Sequence, residues 1–99
     1  MQFNFDPGKD AVNLSKHGLS LAAAAELRWE AALVWIDDRA DYGELRMVAL
    51  APIGDTLYFA AFVDRESTRR VISLRIANRR EVSHYVKAIK EDQPDDADT

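Results

Sequence analysis

RRVISLRIANRREVSHY, residues 69–85, decides the fold because its periodicity changes midway. Polar and apolar residues alternate from Arg70 to Ile76, the two-residue period of a β-strand. Beyond Asn78, Val82, Tyr85, Val86 and Ile89 recur at helical spacing instead. Asn78 with Glu81 three residues on forms a capping-box pair, so a final helix is expected from there to about Lys90. Within the strand, alternation puts Ile72, Leu74 and Ile76 on one face, expected to bury against helices. Arg69, Val71, Ser73 and Arg75 fall on the other.

Working upstream, RESTR (65–69) is a turn and LYFAAFVD (57–64) an almost wholly apolar run, predicted as the central strand. IGDT (53–56) is a hairpin turn that follows LRMVALAP (45–52), a strand closed by a proline that cannot donate to a ladder. ALVWID (32–37) reads as a further strand and DDRADYGE (37–44) as a polar loop. At the start, FNF (3–5) is a short strand, and Asp6-Pro7 is an N-cap followed by proline at the first helical position. That helix is expected to reach about His17, with Ala11, Val12 and Leu14 inward and Gly18 as its stop. Ser20 caps a second helix over LAAAAELRWEA (21–31), whose alanines favour helix. The order is β-α-α-β-β-β-β-α: a small antiparallel sheet packed against helices, the α+β class.

Ninety-nine residues form one domain, expected over 1–90, with 91–99 as an acidic, disordered tail. The net charge of -4 conceals a polarised chain. EDQPDDADT (91–99) holds five acids and no base, whereas residues 1–90 hold 13 bases against 12 acids, or +1. Between Arg65 and Lys90 eight bases face two acids, a local charge of +6 that suits a polyanionic partner. The chain has no cysteine, which excludes disulfides and thiolate chemistry. MQFNFDPGKD has neither the basic start nor the apolar segment of a secretory signal, and no apolar run is long enough for a membrane span. A cytoplasmic protein with no membrane association is expected.

The arginines admit two readings. Arg75 on an outward sheet face is a bidentate phosphate ligand, or a solvated residue paired with a carboxylate. Arg46 shares a strand face with Val48 and Leu50, and either presents a charged head at the mouth of the core or snorkels. Arg79 and Arg80 open the last helix, where positive charge opposes the helix dipole; a solvated face and an anion-binding role both remain open. His17, at a helix C-terminus, either binds terminal carbonyls or transfers protons. Glu66, in the turn before the last strand, is an alternative general base, while His84 reads as surface and Tyr85 as core. Neither histidine has a partner at metal-ligand spacing, and no phosphate-binding glycine loop, dinucleotide fingerprint or nucleophile elbow is present, so no metal and no cofactor is expected. Arg, His, Glu and Tyr remain. Such a set can cleave RNA without a metal, by attack of the 2′-hydroxyl on the adjacent phosphorus.

FNFDPGKDAVNLSKHGLS, Arg46 before an apolar strand, and RRVISLRIANRREVSHY occur together in an order that resembles the BrnT toxins. The resemblance spans residues 3 to about 85. It implies a RelE-like ribonuclease toxin of a type II toxin–antitoxin pair that cuts RNA and inhibits translation. It implies a BrnA-like ribbon-helix-helix antitoxin as partner, with operator DNA bound only through the complex. Lys16, His17, Arg46, Ser73, Arg75 and Tyr85 occupy positions that match family motifs. Arg75 and Arg46 are the expected phosphate-binding and charge-stabilising residues, with His17, or Glu66 instead, for proton transfer. Lys16, Arg69, Arg70, Ser73, Arg79 and Arg80 are expected to contact RNA. The chain departs from the family pattern at Ile76, where a second base is usual, at FVDRES and at Arg28-Trp29-Glu30. An alternative is therefore a weakly active or inactive toxin fold that chiefly binds the antitoxin and co-represses its operon.

Overall fold

A computed structural model describes residues 1–92. Five strands, β1 (Gln2–Asn4), β2 (Leu33–Ile36), β3 (Met47–Ile53), β4 (Thr56–Arg65) and β5 (Thr68–Ile76), form one sheet in the order β1-β5-β4-β3-β2. Helices α1 (Pro7–His17) and α2 (Arg79–Asp92) flank it. The α+β class and the element order stand, and the apolar run of β4 is the middle strand. Pairing is antiparallel throughout β2-β3-β4-β5, whereas β1 joins the edge of β5 in parallel. The last helix runs two residues past its expected end at Lys90. Of the acidic segment 91–99, residues 93–99 lie outside the described residues.

Local signals act as expected at α1. Asp6 Oδ2 accepts from the Lys9 N–H at 3.0 Å, Pro7 opens the helix, and Gly18 closes it in the left-handed region at φ 71°. The inward face differs from expectation: Ala11, Val12 and Leu14 are exposed, and Asn13 is buried. The reason is where α1 lies. β1 covers only Thr68–Arg70 of the β5 edge, and Asn13 serves the next open stretch. Its Nδ2 donates to Leu74 O and Leu19 O, both at 2.9 Å, and its Oδ1 accepts from Leu74 N–H at 3.0 Å. One side chain thus replaces a strand neighbour, satisfying backbone groups that would otherwise be stranded in the interior.

The expected second α-helix is a 3₁₀ helix over Leu21–Glu26, followed by a short 3₁₀ turn at Trp29–Ala31. Leu21, Ala24 and Leu27 are the buried residues here, and a spacing of three lies on one side of a helix with three residues per turn. Asp10 anchors its start by accepting from Ser20 Oγ–H at 3.0 Å and Leu21 N–H at 2.7 Å. This layer covers one sheet face, packing on Ala51, Ala60, Val71 and Leu74.

In β5 a bulge overturns strict alternation. Phe62 pairs with Val71 but Ala61 pairs with Ser73, so Ile72 is the extra residue. Val71 and Leu74 consequently share the core beneath the 3₁₀ layer, while Ile72 packs on the opposite face with Val48, Leu50, Phe59 and Ala61. Ile76, expected inward, is exposed. The same opposite face carries Tyr85 of α2, whose hydroxyl donates to Ala31 O at 2.6 Å. Val82, Val86 and Ile89, expected to pack inward with Tyr85, remain exposed. Tyr85 is therefore the aromatic anchor of a helix whose valines and Ile89 face outward.

Candidate phosphate-binding and catalytic site

Two adjoining depressions lie on the β5-β4-β3 face opposite the 3₁₀ layer. The larger, about 450 Å³, runs between α1 and the sheet, and its lining includes Asp6, Lys9, Lys16, His17, Arg46 and Ser73. Helical spacing brings Lys9 and Lys16 to one side of α1, since seven residues are close to two turns. Asp6 is engaged as the N-cap, and Lys9, Lys16 and Arg46 outnumber it among the charged lining residues. Four of the expected site residues, Lys16, His17, Arg46 and Ser73, come together here.

Arg46 is the best-held cation of this groove. Its guanidinium stacks 4.2 Å from the Tyr42 ring centroid. Its buried Nε stands 3.4 Å from Asp37 Oδ2 in an ion pair, yet makes no hydrogen bond among the described residues. Asp37 is itself buried and binds Arg39 at both oxygens, each at 2.7 Å. The hydrogen bonds from the Arg39 side chain hold the Asp37 carboxyl down at about 2 against its ordinary 3.8, overcoming the opposing effect of burial. Asp37 stays ionised and fixes both guanidinium groups.

Arg75 lines the second depression, about 230 Å³, with Trp35, Asp38, Arg39, Val48 and Phe59. Its guanidinium lies 4.0 Å above the Phe59 centroid, and that of Arg39 lies 5.6 Å from the same ring. Both Arg75 Nη atoms donate to Glu81, each at 2.8 Å. This bidentate pair is the main cause of a lowered Glu81 pKa. Asp37 lines this pocket and pairs with Arg46 of the larger groove, so a continuous chain of charge joins the two.

The remaining expected residues lie elsewhere. Arg69 is on the face of the 3₁₀ layer, stacked 4.5 Å from Trp29 and 4.3 Å from Phe62 and bound to Asp64 at 2.7 and 2.8 Å. Arg70 is half-buried opposite Val63, and Arg79 and Arg80 are exposed in the first turn of α2. Glu66 sits exposed at the β4–β5 hairpin tip with φ 56°, a strand length of roughly 30 Å from Arg75.

Lys9, Asp37 and Arg39 belong to the site without having been singled out. Lys9 carried a signal, its seven-residue spacing from Lys16. Asp37 and Arg39 carried none, because a loop has no periodicity to place its side chains.

No curated protein matches the chain at a significant level. A family model for the ribonuclease toxin BrnT of type II toxin–antitoxin systems matches residues 5–81. That span takes in α1, the whole groove and the Arg75–Glu81 pair, and the chain belongs to the BrnT family of ribonuclease toxins, whose type II systems pair each toxin with an antitoxin.

Proposed function

We propose that the chain is a metal-independent RNA endonuclease that inhibits translation, with its scissile phosphate bound in the groove between α1 and Arg46. The observation that supports this is the convergence of Lys16, His17, Arg46 and Ser73 on a single groove. Arg46 and Lys16 neutralise the phosphate, and charge builds up on its oxygens as the 2′-oxygen attacks phosphorus. Breaking the bond from phosphorus to the 5′-oxygen leaves a 2′,3′-cyclic phosphate and a 5′-hydroxyl. His17 carries out one of the two proton transfers, removal from the 2′-hydroxyl or delivery to the departing 5′-oxygen, and solvent water carries out the other. Arg75, kept in place by Glu81, adds positive charge beside the neighbouring part of the strand. A BrnA-like ribbon-helix-helix antitoxin neutralises the toxin, and operator DNA is bound only by the complex.

Purified chain is incubated with end-labelled RNA in a chelator. Products ending in 2′,3′-cyclic phosphate are expected, and His17→Ala should slow their formation by about 10²-fold or more while RNA still binds. Intact RNA would overturn the proposal.

One observation favours a second reading, in which the fold mainly binds its antitoxin and co-represses the operon. Arg46 and Arg75 are both already paired with carboxylates of the chain, Asp37 and Glu81. Under that reading, Arg46→Ala and Arg75→Ala leave growth unchanged and act only through complex formation.

A further inference from the structure

The 230 Å³ pocket beside Arg75 has a chemistry distinct from that of the phosphate groove. Trp35, Val48 and Phe59 are among its apolar lining residues, and the Arg75 guanidinium lies over the Phe59 ring. At about a third exposed, Trp35 leaves part of its surface free although the His84 ring meets it edge-on at 5.8 Å. The volume falls below the roughly 300 Å³ at which sites for drug-sized ligands begin, so it suits one planar ring system and not a whole nucleotide.

The carboxylates around it are not equivalent. Asp37 has both oxygens on Arg39, and Glu81 has both on Arg75. Asp38 lines the same pocket and makes no hydrogen bond or ion pair among the described residues. An ionised carboxylate is acceptor-only and can take two parallel donors. Among the RNA bases, guanine alone offers two adjacent N–H donors on its Watson–Crick edge, at N1 and at the 2-amino group. Adenine, cytosine and uracil each present one donor there beside acceptors, which a carboxylate repels. RNA readers hold splayed-out bases in this way, by stacking on an aromatic ring and bonding to the Watson–Crick edge.

We infer that this pocket is a guanine subsite, with the Trp35 indole against the base and Asp38 reading its N1–H and 2-amino donors. The inference rests on the ribonuclease reading, because it assigns base preference to the strand whose phosphates Arg46 and Arg75 hold. Asp38 is a specificity-determining residue in this account, and Asp37 and Glu81 are positioning residues for the arginines. The chain of contacts from Arg46 through Asp37 and Arg39 to Phe59 puts base pocket and phosphate groove within one ligand.

The test is titration of the full 99-residue chain with 5′-GMP, 5′-AMP, 5′-CMP and 5′-UMP. Binding is followed by the indole N–H resonances, with Trp35→Phe assigning Trp35 against Trp29. GMP is expected to bind about tenfold more tightly than the other three, the lower part of what one bidentate base contact discriminates. It should shift the Trp35 resonance, and Asp38→Asn should bring GMP to the level of AMP with an unchanged thermal melt. Equal affinities for the four nucleotides would overturn the subsite, since phosphate alone would then be bound. So would a GMP preference that survives in Asp38→Asn, or shifts that leave Trp35 untouched. RNA cleavage in the same preparation separates the two proposals. Cutting without a guanine preference removes the subsite and leaves the nuclease, whereas GMP preference in a chain that cuts no RNA supports the subsite and removes the nuclease.

Discussion

Arg75 and Glu81 form a bidentate ion pair across the junction of β5 and α2, with both N···O distances 2.8 Å. The same carboxylate accepts from the Asn78 N–H at 2.9 Å, and Asn78 Oδ1 accepts from the Glu81 N–H at 2.8 Å. One side chain therefore closes the capping box of α2 and fixes the strand arginine over Phe59. Local helix chemistry and site geometry meet in a single residue.

Glu81→Ala removes both interactions and should lower stability by about 2 kcal/mol, combining a lost cap with a lost charge-assisted pair. Glu81→Gln keeps a capping-box acceptor and should cost less than half of that. Chemical denaturation of the two variants checks the ranking, and equal losses would mean that the cap contributes nothing.

Asn13→Ala strips the substitute strand neighbour from β5 and leaves Leu74 N–H and O without their partner. A loss of about 2 to 4 kcal/mol is expected, far above that of an ordinary surface substitution. Hydrogen exchange at the Leu74 amide should accelerate in step. Protection unchanged from wild type would contradict the edge-capping role.

Stability should fall in acid through Asp37. Its folded pKa is depressed, to about 2 from 3.8, so its contribution is fully present above about pH 4. That contribution is lost as the pH drops through the folded value. The size is on the order of 1–2 kcal/mol, discounted because Arg39 is largely exposed. Denaturation midpoints of wild type and Asp37→Asn between pH 2 and 6 should converge toward the acid end. A constant gap would place the acid-sensitive group elsewhere.

What was legible in the sequence is what short-range rules control. Asp6, Gly18 and the Asn78–Glu81 pair mark helix ends through contacts within three or four residues, and each behaves as expected. Strand alternation failed at Ile72, because a bulge depends on the register of β4 and not on β5 alone. The α1 face failed for a related reason. A helix beside a strand edge needs an amide such as Asn13, whereas a helix on a sheet face needs the Val12 and Leu14 stripe. Lys16, His17, Arg46 and Ser73 were named separately, but their convergence needed the packing of α1 against β5. Asp37 and Arg39 depend on the contacts of the loop with Phe59 and Arg46, which no local sequence pattern encodes.

RNA affinity should depend on salt. With three or four cations on a single strand, log K against log[salt] should have a slope of about -2 to -3, and Arg46→Ala should reduce it by about 0.7. Filter binding from 50 to 200 mM salt measures both. A slope near zero would remove the phosphate groove as the binding surface.

The most direct measurement is expression of wild type, Arg46→Ala and Arg75→Ala at matched levels without antitoxin, with growth and RNA ends mapped together. Wild type should arrest growth and produce new RNA ends, while both variants grow, leave RNA intact and still bind antitoxin. Arrest with new ends in Arg46→Ala, or normal growth with intact RNA in wild type, would contradict the account.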